Sequence, residues 1–207
     1  MLSNTIKELE SPAVDEDREL VRRSQNGDLR AFEALVERHQ KKMINLAFRM
    51  TGDYEEACDL AQEAFLSAFR AIKTFRGEAR FSTWLYGIVL NRTRTRLKQL
   101  SFRRRFQPLS LDDPPNPGSG GGTGDPPSRE VSVLERMEKI EIENRVQECI
   151  GRLEEEFREP LILREILGHS YEEVSALLRV PEGTVKSRLF RARAAIKDCL
   201  KSLLGDL

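Results

Sequence analysis

The chain reads as all-α: two small helical domains joined by a flexible linker, the C-terminal one carrying a helix-turn-helix. Three observations support this. Apolar residues recur at helical spacing on both sides of the chain's middle, and no segment sustains the alternation of a half-buried strand. Residues 106–129 form a Pro/Gly/Ser stretch with Asp112, Asp113 and Asp125, too poor in apolar surface to offset the entropy of ordering. The segment 170–197 has the signals of two short helices around a tight turn.

Taken in order, Asp28 opens a helix with Phe32, Leu35, Val36 and Met43 in phase, and Thr51-Gly52 breaks it from the next. Asp53 or Tyr54 opens a second, carrying Leu60, Ala64, Phe65, Ala68, Phe69 and Ile72. A third is expected over about residues 82–99, after the loop 75–80, burying Leu85, Ile88 and Val89. Beyond the linker, residues 131–153 place Leu134, Met137, Ile140 or Glu141, Val146 and Ile150 roughly in helical phase. Another element is expected over residues 160–167.

Ser170-Tyr171-Glu172-Glu173 fits a capping box, in which the serine hydroxyl and the glutamate three residues on satisfy the free amides of a helix start. The helix stops near Arg179, because Pro181 disfavours helical geometry at Val180. Glu182, Gly183 and Thr184 supply the turn and a second N-terminus. On a wheel of 100° per residue, Val185, Leu189, Ala192 and Ile196 fall on one stripe. Lys186, Phe190, Arg193 and Lys197 fall beside it, and Ser187 and Arg191 continue round the far side. A capped helix, a tight turn and a basic amphipathic helix make a DNA-reading helix-turn-helix.

The net charge of zero conceals segregation. Residues 70–105 hold eleven lysines and arginines against the single acid Glu78, whereas residues 50–69 hold five acids and no base. Local density governs the field, so the first stretch suits a polyanion and the second a different partner. Within the basic stretch, Phe75, Phe81, Trp84 and Tyr86 are interleaved with Arg76, Arg80, Arg92, Arg94, Arg96 and Lys98, a composition suited to stacking unpaired bases while cations meet phosphates. Asn91 has an amide that can read a base edge. Phe81 and Trp84 fit equally well as core residues of a small helical domain. In the acidic stretch, Asp59, Gln62 and Glu63 share one helix face and form an acceptor surface for a basic partner.

Other classes are excluded or disfavoured. Cys58, Cys149 and Cys199 are widely spaced with no C-x-x-C, so neither a disulfide framework nor a zinc site is signalled, and reduced thiols are expected. His39 and His169 lie in no ligand or triad pattern and read as surface or packing residues. No cofactor or metal is implied. The glycine cluster 118–124 lacks the Gly-Lys-Ser/Thr ending of a phosphate loop. Neighbouring carboxylates such as Glu172 and Glu173, or Asp112 and Asp113, do not converge on a substrate, so an enzyme is not expected. No apolar run approaches a membrane span and residues 1–12 lack a signal-peptide pattern, so a cytoplasmic protein with no membrane insertion is expected.

Both halves resemble one family, the bacterial RNA polymerase sigma factors of the sigma-70 family, in the small extracytoplasmic-function (ECF) subfamily. The resemblance rests on Asp59-Leu60-Ala61-Gln62-Glu63-Ala64-Phe65, on Phe81-Ser82-Thr83-Trp84-Leu85-Tyr86 with Asn91, and on Ser170-Tyr171-Glu172-Glu173 through Gly183-Thr184-Val185-Lys186-Ser187-Arg188. It implies a tail over 1–16, sigma region 2 over 17–105, a linker over 106–130 and sigma region 4 over 131–207. Asp59, Gln62, Glu63 and Phe65 would belong to the helix that docks on the β′ coiled coil of core RNA polymerase. Phe75, Arg76, Arg80, Trp84, Asn91, Arg92, Arg94 and Lys98 would engage the melted minus-10 promoter element, with Phe75 and Asn91 handling a flipped base. Lys186, Ser187, Arg188, Phe190, Arg191 and Arg193 would meet the minus-35 element in the major groove. Region 4 would also hold the β flap, and the linker would pass near the RNA path. An anti-sigma factor, often membrane-anchored, is a further partner implied by the resemblance. Cys58 stands where the family usually has an acid. The competing reading is a stand-alone helix-turn-helix regulator that binds operator DNA by itself.

Overall fold

The computed structural model describes residues 17–106 and 133–204. The expected tail 1–16, and the linker apart from Phe106, lie outside them. Among the described residues there is no strand. The N-terminal domain comprises α1 (Arg18–Gln25), α2 (Leu29–Thr51), α3 (Tyr54–Ala71), a 3-10 turn (Ile72–Thr74) and α4 (Phe81–Phe106). The C-terminal domain comprises α5 (Val133–Arg152), α6 (Glu155–Leu161), a π-helical turn (Ile162–Ile166), α7 (Tyr171–Leu178) and α8 (Glu182–Leu204).

The boundaries follow from side chains. Asp28 and Asp53, both extended, accept from the amides of Ala31 and Glu56 and so start α2 and α3. Gly52 ends α2 at φ +79, a left-handed value that a side chain resists. The capping box at α7 is complete: Glu173 N–H donates to Ser170 Oγ and Ser170 N–H to Glu173 Oε2. Arg179, left-handed at φ 56, closes α7 ahead of Pro181.

In the N-terminal domain Leu35, Met43, Leu46, Ala47 and Met50 of α2 meet Ala57, Leu60, Ala61, Ala64 and Ala68 of α3, and Leu85, Val89 and Leu90 of α4 close the core. The alanine-rich inner face of α3 lets it lie close to α2. In the C-terminal domain Val185, Leu189 and Ala192 of α8 pack with Leu161, Ile162, Leu163, Val174 and Leu178.

Several expectations need correction. The helix α1, a charged segment that buries only Val21 and Ser24, was not signalled. The third helix begins at Phe81 and runs to Phe106, past the expected Gln99. The element placed at 160–167 begins earlier, at Glu155, with Pro160 inside its last turn. Met137 and Ile140, expected in the core, are exposed along with Ile142, and among the described residues the buried positions of α5, Cys149 and Ile150, lie in its C-terminal half. The expectation of reduced thiols is overturned for two of them: Cys149 on α5 and Cys199 on α8 form a disulfide with Cα atoms 5.8 Å apart, while Cys58 is free. Both histidines are buried. His39 Nε2 lies 2.7 Å from Asp17 Oδ2, and the His169 ring lies 4.5 Å from that of Tyr86.

The two domains are packed together. The last carbonyls of α2 receive donors from the other domain: Arg158 Nη1 to Met50 O at 2.8 Å, and Gln147 Nε2 to Arg49 O and to Phe48 O at 3.3 Å each, the latter oxygen also accepting the Gly52 amide at 2.7 Å. Arg94 on α4 grips Glu159 on α6 with two nitrogens, Nη2 to Oε2 at 2.6 Å and Nε to Oε1. Glu159 is 4% exposed and Arg94 half-buried, so the carboxylate end of this pair is shielded from water. The edge-on contact of Tyr86 with His169 completes the junction.

Candidate nucleic-acid interface

Three surfaces carry the residues singled out by sequence. On α8, Val185, Leu189 and Ala192 are turned into the core, so the remaining sides of its first three turns face outward. Phe190 is 75% exposed, a large apolar ring in solvent on a basic helix. Lys186, Ser187, Arg191 and Arg193 are exposed, and Arg188 is half-buried. Ser187 Oγ donates to Thr184 O at 2.9 Å. The flanks are pinned by acids from the first half of the domain: Arg188 meets Glu156 at 2.9 Å and Arg193 meets Glu165 at 2.6 Å. Tyr171, at the start of α7, takes Arg164 over its ring at 4.7 Å and Lys186 at 5.6 Å. The outward face is therefore a cationic strip with one exposed aromatic, held on a helix whose opposite side is locked in the core.

The second surface is the loop before α4 and the first turns of that helix. Phe75, Phe81 and Trp84 form a ring cluster, with Phe75 and Trp84 centroids 4.9 Å apart and Phe81 and Trp84 5.8 Å apart. The two readings left open by sequence divide between the rings. Phe81 is fully buried, whereas Phe75 and Trp84 are only half-buried and border a cleft with Asn91 and Arg94. Gln25 on α1 fixes the loop by donating to Ile72 O at 3.0 Å and Phe75 O at 2.8 Å, a role that sequence did not reveal. Arg76, Arg80, Asn91 and Lys98 are exposed. The far wall of the cleft is Leu177 of α7 and Arg179, which closes that helix.

The third surface is the outer face of α3, where Asp59, Gln62 and Glu63 are exposed side by side and Leu66 is 50% exposed beyond them. Phe65 lies in the core, supporting this face from beneath. Two of the arginines grouped by sequence with the melted strand turn to this face instead. Arg92 donates to Glu63 Oε2 at 3.3 Å and to Ser67 Oγ at 2.6 Å, and Arg96 grips Glu56 at 2.6 and 3.1 Å. Arg94 turns the other way, to Glu159, whose carboxylate holds the guanidinium above its ordinary pKa. No group of three or more His, Cys, Asp or Glu side chains among the described residues is arranged to hold a metal ion, and no described helix is long and apolar enough to cross a membrane.

Residues 35–103 match the family model for sigma-70 region 2, and residues 143–196 that for sigma-70 region 4. The RNA polymerase sigma-H factor of Pseudomonas aeruginosa is 40% identical over 93% of this chain and 97% of its own. The chain belongs to the sigma-70 family. Within it, the ECF RNA polymerase sigma-E factor of Escherichia coli is 39% identical over 91% of this chain and 96% of its own. Among solved structures, CnrH in complex with the cytosolic domain of CnrY superposes with a TM-score of 0.64 at 26% identity, covering 90% of this chain and 97% of that one. The sigma factor RpoE of Bartonella quintana, solved with the anti-sigma factor NepR, shares the fold with a TM-score of 0.61 at 20% identity over 84% of this chain. The protein is thus an ECF sigma factor, a subunit that brings core RNA polymerase to promoters.

Proposed function

We propose that this sigma factor divides its work among the three surfaces described, with region 2 over 17–105 and region 4 over 131–207. The outer face of α3, through Asp59, Gln62 and Glu63, docks on a basic coiled coil of the polymerase β′ subunit, and region 4 holds the β flap. The strip on α8 formed by Lys186, Ser187, Phe190 and Arg191, flanked by Arg188 and Arg193, reads the minus-35 duplex. Phe75, Trp84 and Asn91, with Arg76, Arg80 and Lys98 around them, hold the melted minus-10 strand. Base capture there favours the open promoter by differential affinity, so the protein drives melting by binding and catalyses no bond change.

The observation that carries the reading is the two-sidedness of α8, apolar residues locked inward and cations with an aromatic outward. Arg92 sits beside Glu63 and Ser67, so we assign it to shaping the docking face as well as to phosphate contact. Arg94 meets a phosphate only after leaving Glu159, and α7 walls the cleft that the strand enters. The form described here is therefore a closed one that separates its domains on the polymerase. CnrH, related in fold and sequence, was solved with the cytosolic part of CnrY. A comparable protein partner that holds this chain in the cytoplasm in its closed form is part of the proposal.

The test is reconstitution of the full-length protein with sigma-free core polymerase and a promoter library, followed by sequencing of transcript 5′ ends. Initiation at sites that share two spaced upstream elements is expected. Absence of initiation, with operator binding by the protein alone, overturns the reading.

A further inference from the structure

The disulfide joins two helices that do different work. Cys149 lies near the end of α5, two residues beyond Gln147, the side chain that ties α5 to the carbonyls of α2. Cys199 lies in the last third of α8, the helix whose first turns carry the cationic strip. The core stripe of α8 thins toward that end: Ala192 is fully buried, Ile196 only half-buried, and Lys197 and Asp198 exposed. Among the contacts that hold these last turns to α5 are Arg145 Nη1 donating to Leu203 O at 2.8 Å and the sulfur bridge itself. The two cysteines also differ in setting. Cys149 is 1% exposed, whereas Cys199 is half-buried, with Arg152 Nη1 3.9 Å from its sulfur. Arg152 also pairs with Glu148 at 2.6 Å, so its pull on the sulfur is shared, and it is the greater exposure of Cys199 that makes it the thiol a peroxide reaches first, with Cys149 the resolving thiol.

We propose that Cys149 and Cys199 form a reversible thiol–disulfide site through which a peroxide sets the strength of duplex-DNA binding by the C-terminal domain. The Cys199 thiolate attacks one peroxide oxygen, the O–O bond breaks, and a sulfenic acid and hydroxide result. The Cys149 thiol then attacks the Cys199 sulfur, the S–O bond breaks, and water leaves as the S–S bond forms. In sum two thiols are oxidised and one hydrogen peroxide is reduced to two waters, and a small dithiol reverses the change by exchange. When oxidised, the bridge pins the sparsely packed end of α8 to α5 and restricts the unfolded chain across a sequence separation of 50 residues. When reduced, the end of α8 frays and the domain presents its recognition face less of the time. Cys58 takes no part. The DNA arm of the inference rests on the reading of α8 as the duplex-binding helix, and the chemical arm does not.

The experiment uses the full chain, fully reduced and then exposed to stoichiometric hydrogen peroxide. Thiol titration and peptide mapping are expected to show two of the three thiols lost, with the peptides of Cys149 and Cys199 joined and Cys58 intact. Melting of the C-terminal domain is expected to rise by roughly 10 °C on oxidation. Affinity for a duplex carrying the protein's minus-35 element is expected to rise at least about threefold. Cys199→Ser, a change at the half-exposed partner, is expected to behave like the reduced wild type before and after peroxide. Persistence of all three thiols, or oxidation of Cys58 in place of the pair, overturns the site. Equal melting and equal DNA affinity of the two wild-type forms overturns the coupling. Duplex binding lost in both forms, while the joined peptides and the melting shift remain, would instead count against the recognition-helix assignment and leave the thiol chemistry supported.

Discussion

Lys186 and Arg191 sit on the exposed side of α8, while Val185 and Leu189, in the same turns, hold the helix in place. Truncating either cation leaves the core untouched. Lys186→Ala and Arg191→Ala are expected to weaken binding to a minus-35 duplex by roughly tenfold each, with affinity for core polymerase unchanged, as a fluorescence anisotropy titration of each partner would show. Loss of polymerase affinity with promoter preference retained would place these residues elsewhere. His169 makes a different prediction. Burial beneath Tyr86 holds its pKa below the ordinary value near 6.5, with Glu173 at 3.5 Å opposing the shift and Lys42 adding to it. The folded state thus keeps His169 neutral where the unfolded chain takes up a proton. Stability should be level above the ordinary histidine value and decline as pH falls below it toward the lowered one. Glu173, whose pKa is lowered first by the Ser170 amide, contributes above the ordinary carboxylate value near 4.5 and loses its contribution only at lower pH. Urea midpoints measured between about pH 7.5 and 5.5 should slope downward in wild type and flatten in His169→Gln.

At the scale of helices, α3 and α8 each work by burying one side to display the other. Because Leu189 is 1% exposed beneath the cationic strip, Leu189→Ala should destabilise the C-terminal domain by about 2–5 kcal/mol in denaturant unfolding. On α3 the displayed side is acidic, and Asp59→Lys with Glu63→Lys should weaken core-polymerase binding at least tenfold while duplex-DNA binding by the isolated protein persists. Unchanged affinity for core would remove α3 from the docking surface. The elements most legible in sequence were those with local signals. Asp28, Asp53 or Tyr54, and Ser170 marked helix starts, Thr51-Gly52 marked an end, and the periodicity of Val185, Leu189 and Ala192 marked the face of α8. What depended on distant chain segments was not legible. Arg94 meets Glu159 across 65 residues, Cys149 meets Cys199 across 50, and no local pattern distinguishes such an arginine from a phosphate ligand or such a cysteine from a free thiol. Met137 and Ile140 misled for the same reason: their spacing is helical, yet both side chains are more than half exposed, and helical period alone does not say which stripe a distant element covers.

At the scale of the whole molecule, the junction between the domains determines which surfaces a partner meets. Glu159→Gln removes the charge that holds Arg94 and leaves a side chain of nearly the same shape. Small-angle scattering should then show a larger radius of gyration for the free protein, and binding to a melted minus-10 strand should tighten; unchanged scattering and affinity would show that the other contacts suffice to hold the domains closed. A wider consequence follows from the number of arginines already matched to glutamates: Arg92 to Glu63, Arg94 to Glu159, Arg188 to Glu156 and Arg193 to Glu165. A polyanion that engages such a cation exchanges one anionic partner for another. Added salt screens the internal pair as well as the new contact, so the two effects partly cancel. The logarithm of promoter-fragment affinity should therefore fall with the logarithm of salt concentration less steeply than about 0.9 per contacting cation would give. The protein that reads as neutral in total would carry onto DNA a footprint smaller in released counterions than in touching side chains.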